Sequence, residues 1–416
     1  MTASTNASAY RCGARLDSTA FARVRRSLVL DHCKWDPQVG DVSTLADFPL
    51  IMPRDTWSKL AAWAEQLTIE AAEAERELAS RPELHDRLGL PRRVRALLTP
   101  CRRERNTVEA PRAFRYDFHF TRDGWRISEC NADVPGGYAE ASAFTELMAQ
   151  HYSDAAPAGD PGAAWAGAIA QAAESAGAAS VALLSAPGYM EDHQVIHYLA
   201  KRLTQLGLRA HCLQPAHVHW QEGVGFVRGE KLGAVVRFYQ AEWLTNLPRN
   251  AQAGYYFRGA HTPVLNPGTC ITIESKRFPL VWDALSSTLL ASWRHLLPES
   301  VDPREVSWQN DDAWLIKSAL CNTGDTVSAR SLLTPAAWAK AARSARWSPG
   351  QWIAQKRFEP VPLDTPLGPV YPCIGVYTIS GRACGAYARL SLGPIVDYSA
   401  IDVPLLLEDP PLAPVT

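Results

Sequence analysis

The chain has 416 residues, a formal charge of −1 and a 47% hydrophobic composition, which excludes a disordered protein and supplies no general field for nucleic acid or an anionic membrane. Nine cysteines with no C-x-x-C pair argue against a disulfide framework or a structural zinc site. No apolar run reaches the roughly 18 residues of a membrane span, and the N-terminal MTASTNASAYRCGAR lacks a hydrophobic signal core, so a soluble, cytoplasmic protein is expected.

Residues 1–108 read as a mainly helical region. A short helix is expected over 20–29, then a loop over 36–53. Trp57, Leu60, Ala64, Leu67 and Ala71 repeat at helical spacing, with Asp55 as the expected N-cap. Further helices are expected over 82–88 and 91–98. The arginine-rich run 92–105 reads as a solvated helix face rather than an anion site.

The stretch 115–140, RYDFHFTRDGWRISECNADVPGGYAE, reads as a β-hairpin. Arg122, Asp123 and Gly124 form its expected loop, with Gly at the left-handed position. Counting back from a Thr121–Trp125 pair sets Asp117 opposite Glu129 and Arg115 opposite Asn131, all on one face. Two carboxylates across a ladder repel. A hard cation removes that cost, and Mg²⁺ prefers one or two carboxylates plus phosphate oxygens. On spacing alone, a solvated face with Arg115 neutralising an acid stays open.

These residues, R-x-D and then E-x-N-A-D, resemble the metal-ligand hairpin of the glutathionylspermidine synthetases, which are ATP-grasp amide ligases. The resemblance implies Mg²⁺ on Asp117, Glu129 and Asn131. It also places Arg115 beside an acyl phosphate or tetrahedral intermediate. Where the synthetases often carry hydroxyl residues after N-A-D, this chain has Val134, Pro135, Gly136 and Gly137.

Further along, a helix is expected over 140–152, a small-residue linker over 155–162 and an Ala-rich helix over 163–176. A β-α-β unit follows: strand 181–184, helix 191–206, a stop at Gly207, and strand 208–213. The loop 185–190 lies where open α/β sheets bind ligands but is no G-x-G-x-x-G fingerprint, which excludes dinucleotide binding there. Strand 234–238 carries Arg237, with Glu242 as its expected partner. His193, His197, His211, His217 and His219 lack the further ligands that zinc requires. Beyond residue 265 an amphipathic helix is expected over 280–297. Strands 314–316 and 352–355 and the hairpin 374–379 with 383–390, turning at Ser380 and Gly381, read together as an α+β clamp.

Lys317, at a strand end before a loop of small and hydroxyl residues, suits triphosphate binding, although a plain edge-strand lysine reads the same way. The synthetases carry K-P-x-x-G-R-x-G-x-x-V here; Lys317, Gly324 and Val327 match, and Ser318 replaces the proline. The family's S-N-K lysine, at a helix start further upstream, has no counterpart in the helix expected here; Lys276, close upstream of that helix, is the candidate to take over its phosphate contact. Ile353, Ala354 and Gln355 resemble the adenine hinge, implying that Gln355 meets the base. The last hairpin resembles G-x-x-x-x-x-G-x-x-x-G-x-x-x-R, which assigns Arg389 to phosphate or intermediate. The residues alone also allow an ion pair of Arg389 with Asp397 or Asp402.

The resemblance covers residues 110–405 and lacks the amidase domain of bifunctional members. The metal hairpin precedes the nucleotide lysine, the circularly permuted order of the synthetases. Implied is a mixed α/β and α+β ATP-grasp fold in four stretches: 1–108, 109–155, a Rossmann-like pre-ATP-grasp 156–264, and 265–416. The implied activity is ADP-forming ligation of small-molecule carboxylates and amines with ATP and Mg²⁺, through an acyl phosphate. No nucleic-acid or membrane partner is expected, and the protein is expected to be a monomer or homodimer. A nucleotide-binding protein that has lost ligation and a phosphotransferase that stops at a phosphorylated product are the alternatives.

Overall fold

The computed structural model describes residues 9–39, 42–99, 110–320, 327–397 and 399–409. Its largest sheet follows from the alternation in Ala113–Thr121. Phe114, Tyr116 and Phe118 are fully buried, while Arg115, Asp117 and His119 point to the opposite face. The apolar side shares one core with Leu60, Ala64, Leu67 and Ala71 of helix Arg54–Leu78. The polar side is thereby left to face the rest of the molecule.

The main path of that sheet runs Arg11–Cys12, Leu50–Met52, Ile401–Glu408, Arg382–Ser391, Gly368–Ile379, Ala113–Thr121 and Gly124–Asn131. Leu50–Met52 pairs parallel to Ile401–Glu408, and the other ladders on the path are antiparallel. The last hairpin therefore belongs to this sheet, beside the first hairpin, and not to the clamp. Its two-residue turn has Ser380 and Gly381 both at positive φ, the turn that matches strand twist.

The first hairpin turns one residue earlier than expected. Thr121 pairs with Gly124, whose φ is +94°, leaving a two-residue loop of Arg122 and Asp123. A β-bulge at Ser128 adds one residue back, so Asp117 still faces Glu129 and Arg115 still faces Asn131.

A parallel four-stranded sheet, ordered Val264–Leu265, Ala234–Phe238, Ser180–Ser185 and Arg209–Leu213, forms the second layer with helices Pro161–Ser175 and Met190–Gln205. Gly207, at φ +84°, ends the second helix as expected. The clamp is smaller: antiparallel strands Ser300–Val301, Trp352–Lys356 and Trp314–Ser318, with helix Pro335–Trp347, around a core that includes Trp308, Trp314, Ile316 and Trp352.

Several elements differ from the sequence pattern. Pro53, not Asp55, caps helix Arg54–Leu78, and Asp55 accepts from the N–H of Thr56 inside the first turn. Residues 82–88 hold a single 3₁₀ turn, Pro82–Leu84. The helix expected over 280–297 is broken into a 3₁₀ segment Phe278–Ala284 and a short helix Ala291–Leu296, separated by exposed Leu289 and left-handed Leu290. The expected linker 155–162 contains strand Ala155–Pro157, which pairs with Ile401–Glu408. Among the described residues no helix is long and apolar enough to cross a membrane.

Candidate active site

The register of the large sheet sets polar residues in rows across its inner face. Glu129, Asp117, Gly375 and Tyr387 are directly opposed on four successive strands. Beside them run Asn131, Arg115, Tyr377 and Gly385. A Cβ at Gly375 would lie 3.0 Å from Arg115 Cδ and 3.2 Å from the Tyr387 ring. That missing side chain leaves the space in which two arginines from opposite sides converge on Asp117.

Arg115 grips Asp117 through Nε at 2.9 Å and Nη2 at 3.1 Å, and Arg389 Nη2 reaches the same carboxylate at 2.7 Å. Arg389 is thus paired with Asp117, not with Asp397 or Asp402. Burial pushes the Asp117 carboxyl up, but the two guanidiniums outweigh it and hold the group well below the ordinary range. Opposite, Glu129 meets Lys276 Nζ at 3.2 Å. Burial again works against ionisation there, and Lys276 again overcomes it. Lys276 also lies 3.6 Å from Glu274, whose other oxygen accepts from the N–H groups of Ala132 at 2.6 Å and Asp133 at 3.2 Å. With the helical segment starting at Phe278, Lys276 stands just ahead of a helix start and next to Glu129, one of the candidate metal carboxylates.

One cleft joins these groups to the clamp. Asp117, His119, Ser128 and Glu129 of the first hairpin line it together with Leu315, Lys317 and Gln355 of the clamp strands, Phe358 beyond them, and Arg389. The bulge turns the Ser128 carbonyl toward Lys317 Nζ, 3.0 Å away. Gln355 donates to Ser300 Oγ at 2.9 Å. Gly324 lies outside the described residues.

Sequence reasoning missed three contributors. His119 shares the face of Asp117, bonds Ser128 Oγ at 3.1 Å and packs against Phe358; burial pushes its imidazole down to about 4, so the ring is neutral at pH 7. Its place two residues after Asp117 on a strand is a signal that the alternation does contain. Glu274 has no such signal. Nor has Asp133 as the true partner of Arg237: their ion pair, 4% and 0% exposed, replaces the expected Arg237–Glu242 pair, and Asp133 also accepts from Ala241 N–H at 2.8 Å.

Among the described residues, no three His, Cys, Asp or Glu side chains group as metal ligands. The candidate set is two carboxylates and an amide, Asp117, Glu129 and Asn131. Both carboxylates are held ionised, and they repel each other across the ladder. Asp117 and Glu129 line the cleft, and hard oxygen donors of this kind fit Mg²⁺ with phosphate oxygens. Asn131 turns its NH₂ toward Asp117 at 3.3 Å, so a half-turn of the amide is needed to present its oxygen.

A model of the glutathionylspermidine synthase preATP-grasp family matches residues 52–408. The chain belongs to that family. No curated protein sequence matches it. Among solved structures, the family fold is shared by a glutathione synthetase-like effector from Globodera pallida in its apo form, with a TM-score of 0.61 and 12% identity over 92% of this chain and 97% of that one. A putative gamma-glutamylcysteine synthetase from Methylobacillus flagellatus aligns at a TM-score of 0.41 and 11% identity over 80% and 84%, too distant to carry an argument. For a glutathionylspermidine synthase-like chain the mixed α/β and α+β architecture described above is the expected one.

Proposed function

We propose that this protein is an ATP-dependent, ADP-forming ligase that joins a carboxylate to an amine through an acyl phosphate. One observation carries the reading: a single cleft lined by Asp117 and Glu129 of the first hairpin, Lys317 and Gln355 of the clamp, and Arg389 of the last hairpin. Carboxylates and several fixed cations facing one cleft suit phosphoryl transfer, where catalysis is mostly positioning and charge stabilisation.

Asp117, Glu129 and the Asn131 amide would hold Mg²⁺, which when bound neutralises phosphate charge as the γ-phosphoryl group moves. Lys317 and Lys276 would contact the phosphates. Phe358, Leu315 and Gln355 would surround the base. Arg115 and Arg389, both engaged with Asp117, are placed to donate to the oxyanion that develops when an amine attacks the acyl phosphate. The neutral His119 adds a ring to this wall without adding charge.

The test is ADP release with ATP, Mg²⁺ and a panel of amino acids, peptides including glutathione, and polyamines, with products identified by mass spectrometry. A condensed amide is expected. A phosphorylated carboxylate as the final product would instead mark a phosphotransferase. Glu129→Ala should abolish acceptor-dependent ADP release while leaving the circular dichroism spectrum unchanged. Full activity in that variant would remove the metal assignment.

A further inference from the structure

Arg389 has a further polar neighbour in the sheet. On the next strand Asp402 stands directly opposite it, one strand further from the nucleotide cleft. The backbone of Asp402 is fixed on both sides, its N–H donating to Thr44 O at 2.7 Å and its carbonyl accepting from Ala46 N–H at 2.9 Å. The buried ammonium of Lys34 lies 3.5 Å from Asp402, 2.6 Å from Glu140 and 3.1 Å from Asp36. Three carboxylates thus share one lysine. Glu140 is presented by a π-helical turn, Glu140–Phe144, a form that recurs at functional sites. Glu191, at the start of helix Met190–Gln205, adds negative charge, and Arg389 and Tyr387 face the cluster from the neighbouring strand.

Nothing in the phosphoryl-transfer half of the reaction uses this cluster. The second half does need such a group. An aliphatic amine is an ammonium ion at neutral pH, with no lone pair to attack a carbonyl carbon. The side chain of Asp402 is 14% exposed, so the carboxyl is sheltered from bulk water. Burial pushes its carboxyl up to about 7, with Lys34 opposing the rise and Glu140 adding to it. A base balanced near the working pH is both ionised and basic enough to act.

We propose that Asp402 accepts the proton of the incoming amine, with Lys34 and Glu140 positioning it. This rests on the ligase reading. The ammonium gives one proton to Asp402, and the freed lone pair forms the C–N bond. The C–O bond to the leaving phosphate breaks, and the second proton shed by nitrogen departs on that phosphate. Asp402 then returns its proton to solvent. The amine therefore enters from the Asp402 side of Arg389, opposite the nucleotide.

Two nucleophiles test this. With ATP, Mg²⁺ and glutathione as the carboxylate, spermidine arrives protonated, whereas hydroxylamine is uncharged at neutral pH and needs no base. Asp402→Asn should lose about 10²-fold or more with spermidine and stay within about 3-fold with hydroxylamine. In Glu140→Gln, the inflection near pH 7 in the spermidine kcat/KM profile should move downward, because a repelling carboxylate is gone. Equal losses with both nucleophiles overturn the assignment. So does a ¹³C carboxyl titration, the resonance identified by its absence in Asp402→Asn, that places Asp402 in the ordinary acid range. A wild-type protein that releases no ADP with any carboxylate and amine of the panel overturns the ligase reading itself, an outcome distinct from a selective or unselective loss in the variant.

Discussion

Replacing Arg237 by Met tests what holds the end of the first hairpin. Arg237 bonds Asp133, donates Nε to Asn266 O at 3.0 Å and Nη1 to Tyr239 O, and its side chain is 0% exposed. Met keeps most of the apolar stem but strands the Asp133 carboxylate, which retains only its bond from Ala241 N–H among the contacts described here. Breaking a buried pair in this way costs about 3–5 kcal/mol. The expected loss at pH 7 is therefore about 3–5 kcal/mol, read from urea unfolding by tryptophan fluorescence. Arg237→Met combined with Asp133→Leu should recover most of that loss. A negligible loss, or a double variant less stable than the single one, would refute the account.

Gly375→Ala should drop ADP release by about 10-fold or more with little change in Tm, since its Cβ would press on Arg115 and Tyr387 at the tightest point of the site. Lys276→Met should weaken ATP binding in calorimetry by about 10-fold; unchanged affinity would confine Lys276 to balancing Glu129 and Glu274. Glu77 offers a pH test away from the site. Burial raises its carboxyl, but the N–H groups of Ser287 and Ser286, with Arg81, hold it down at about 2. A lowered folded-state value means its stabilisation is complete above the ordinary carboxylate range and is lost as pH falls through 2. Glu77→Gln should flatten that part of the acid-unfolding curve, as monitored by circular dichroism.

Side-chain alternation made the first hairpin legible, because a face with Arg115 and Asp117 against one with Phe114, Tyr116 and Phe118 fixes which side packs on the core. Its register came out right through two offsetting one-residue differences, a shorter loop and the bulge at Ser128, and a D-G turn permits either loop. Leucine spacing over 280–297 imitates a helix, but Leu290 takes a left-handed conformation and breaks it. Two antiparallel hairpins carry no mark of which sheet they join, so the last one was legible as a hairpin and not as part of the large sheet. Lys34 reads as an ordinary lysine after a helix, since its partners Glu140 and Asp402 are distant in sequence.

The strand order has a consequence for synthesis. Ala113–Thr121 gains its second neighbour only when Gly368–Ile379 emerges, and that hairpin gains its own only with Ile401–Glu408. Until then a nascent chain carries an open β-edge flanked by Phe, Tyr and Trp, the kind of edge that recruits foreign strands. Premature termination anywhere before the last strand would thus release a sticky half-sheet, and slow maturation is the expected consequence of the topology.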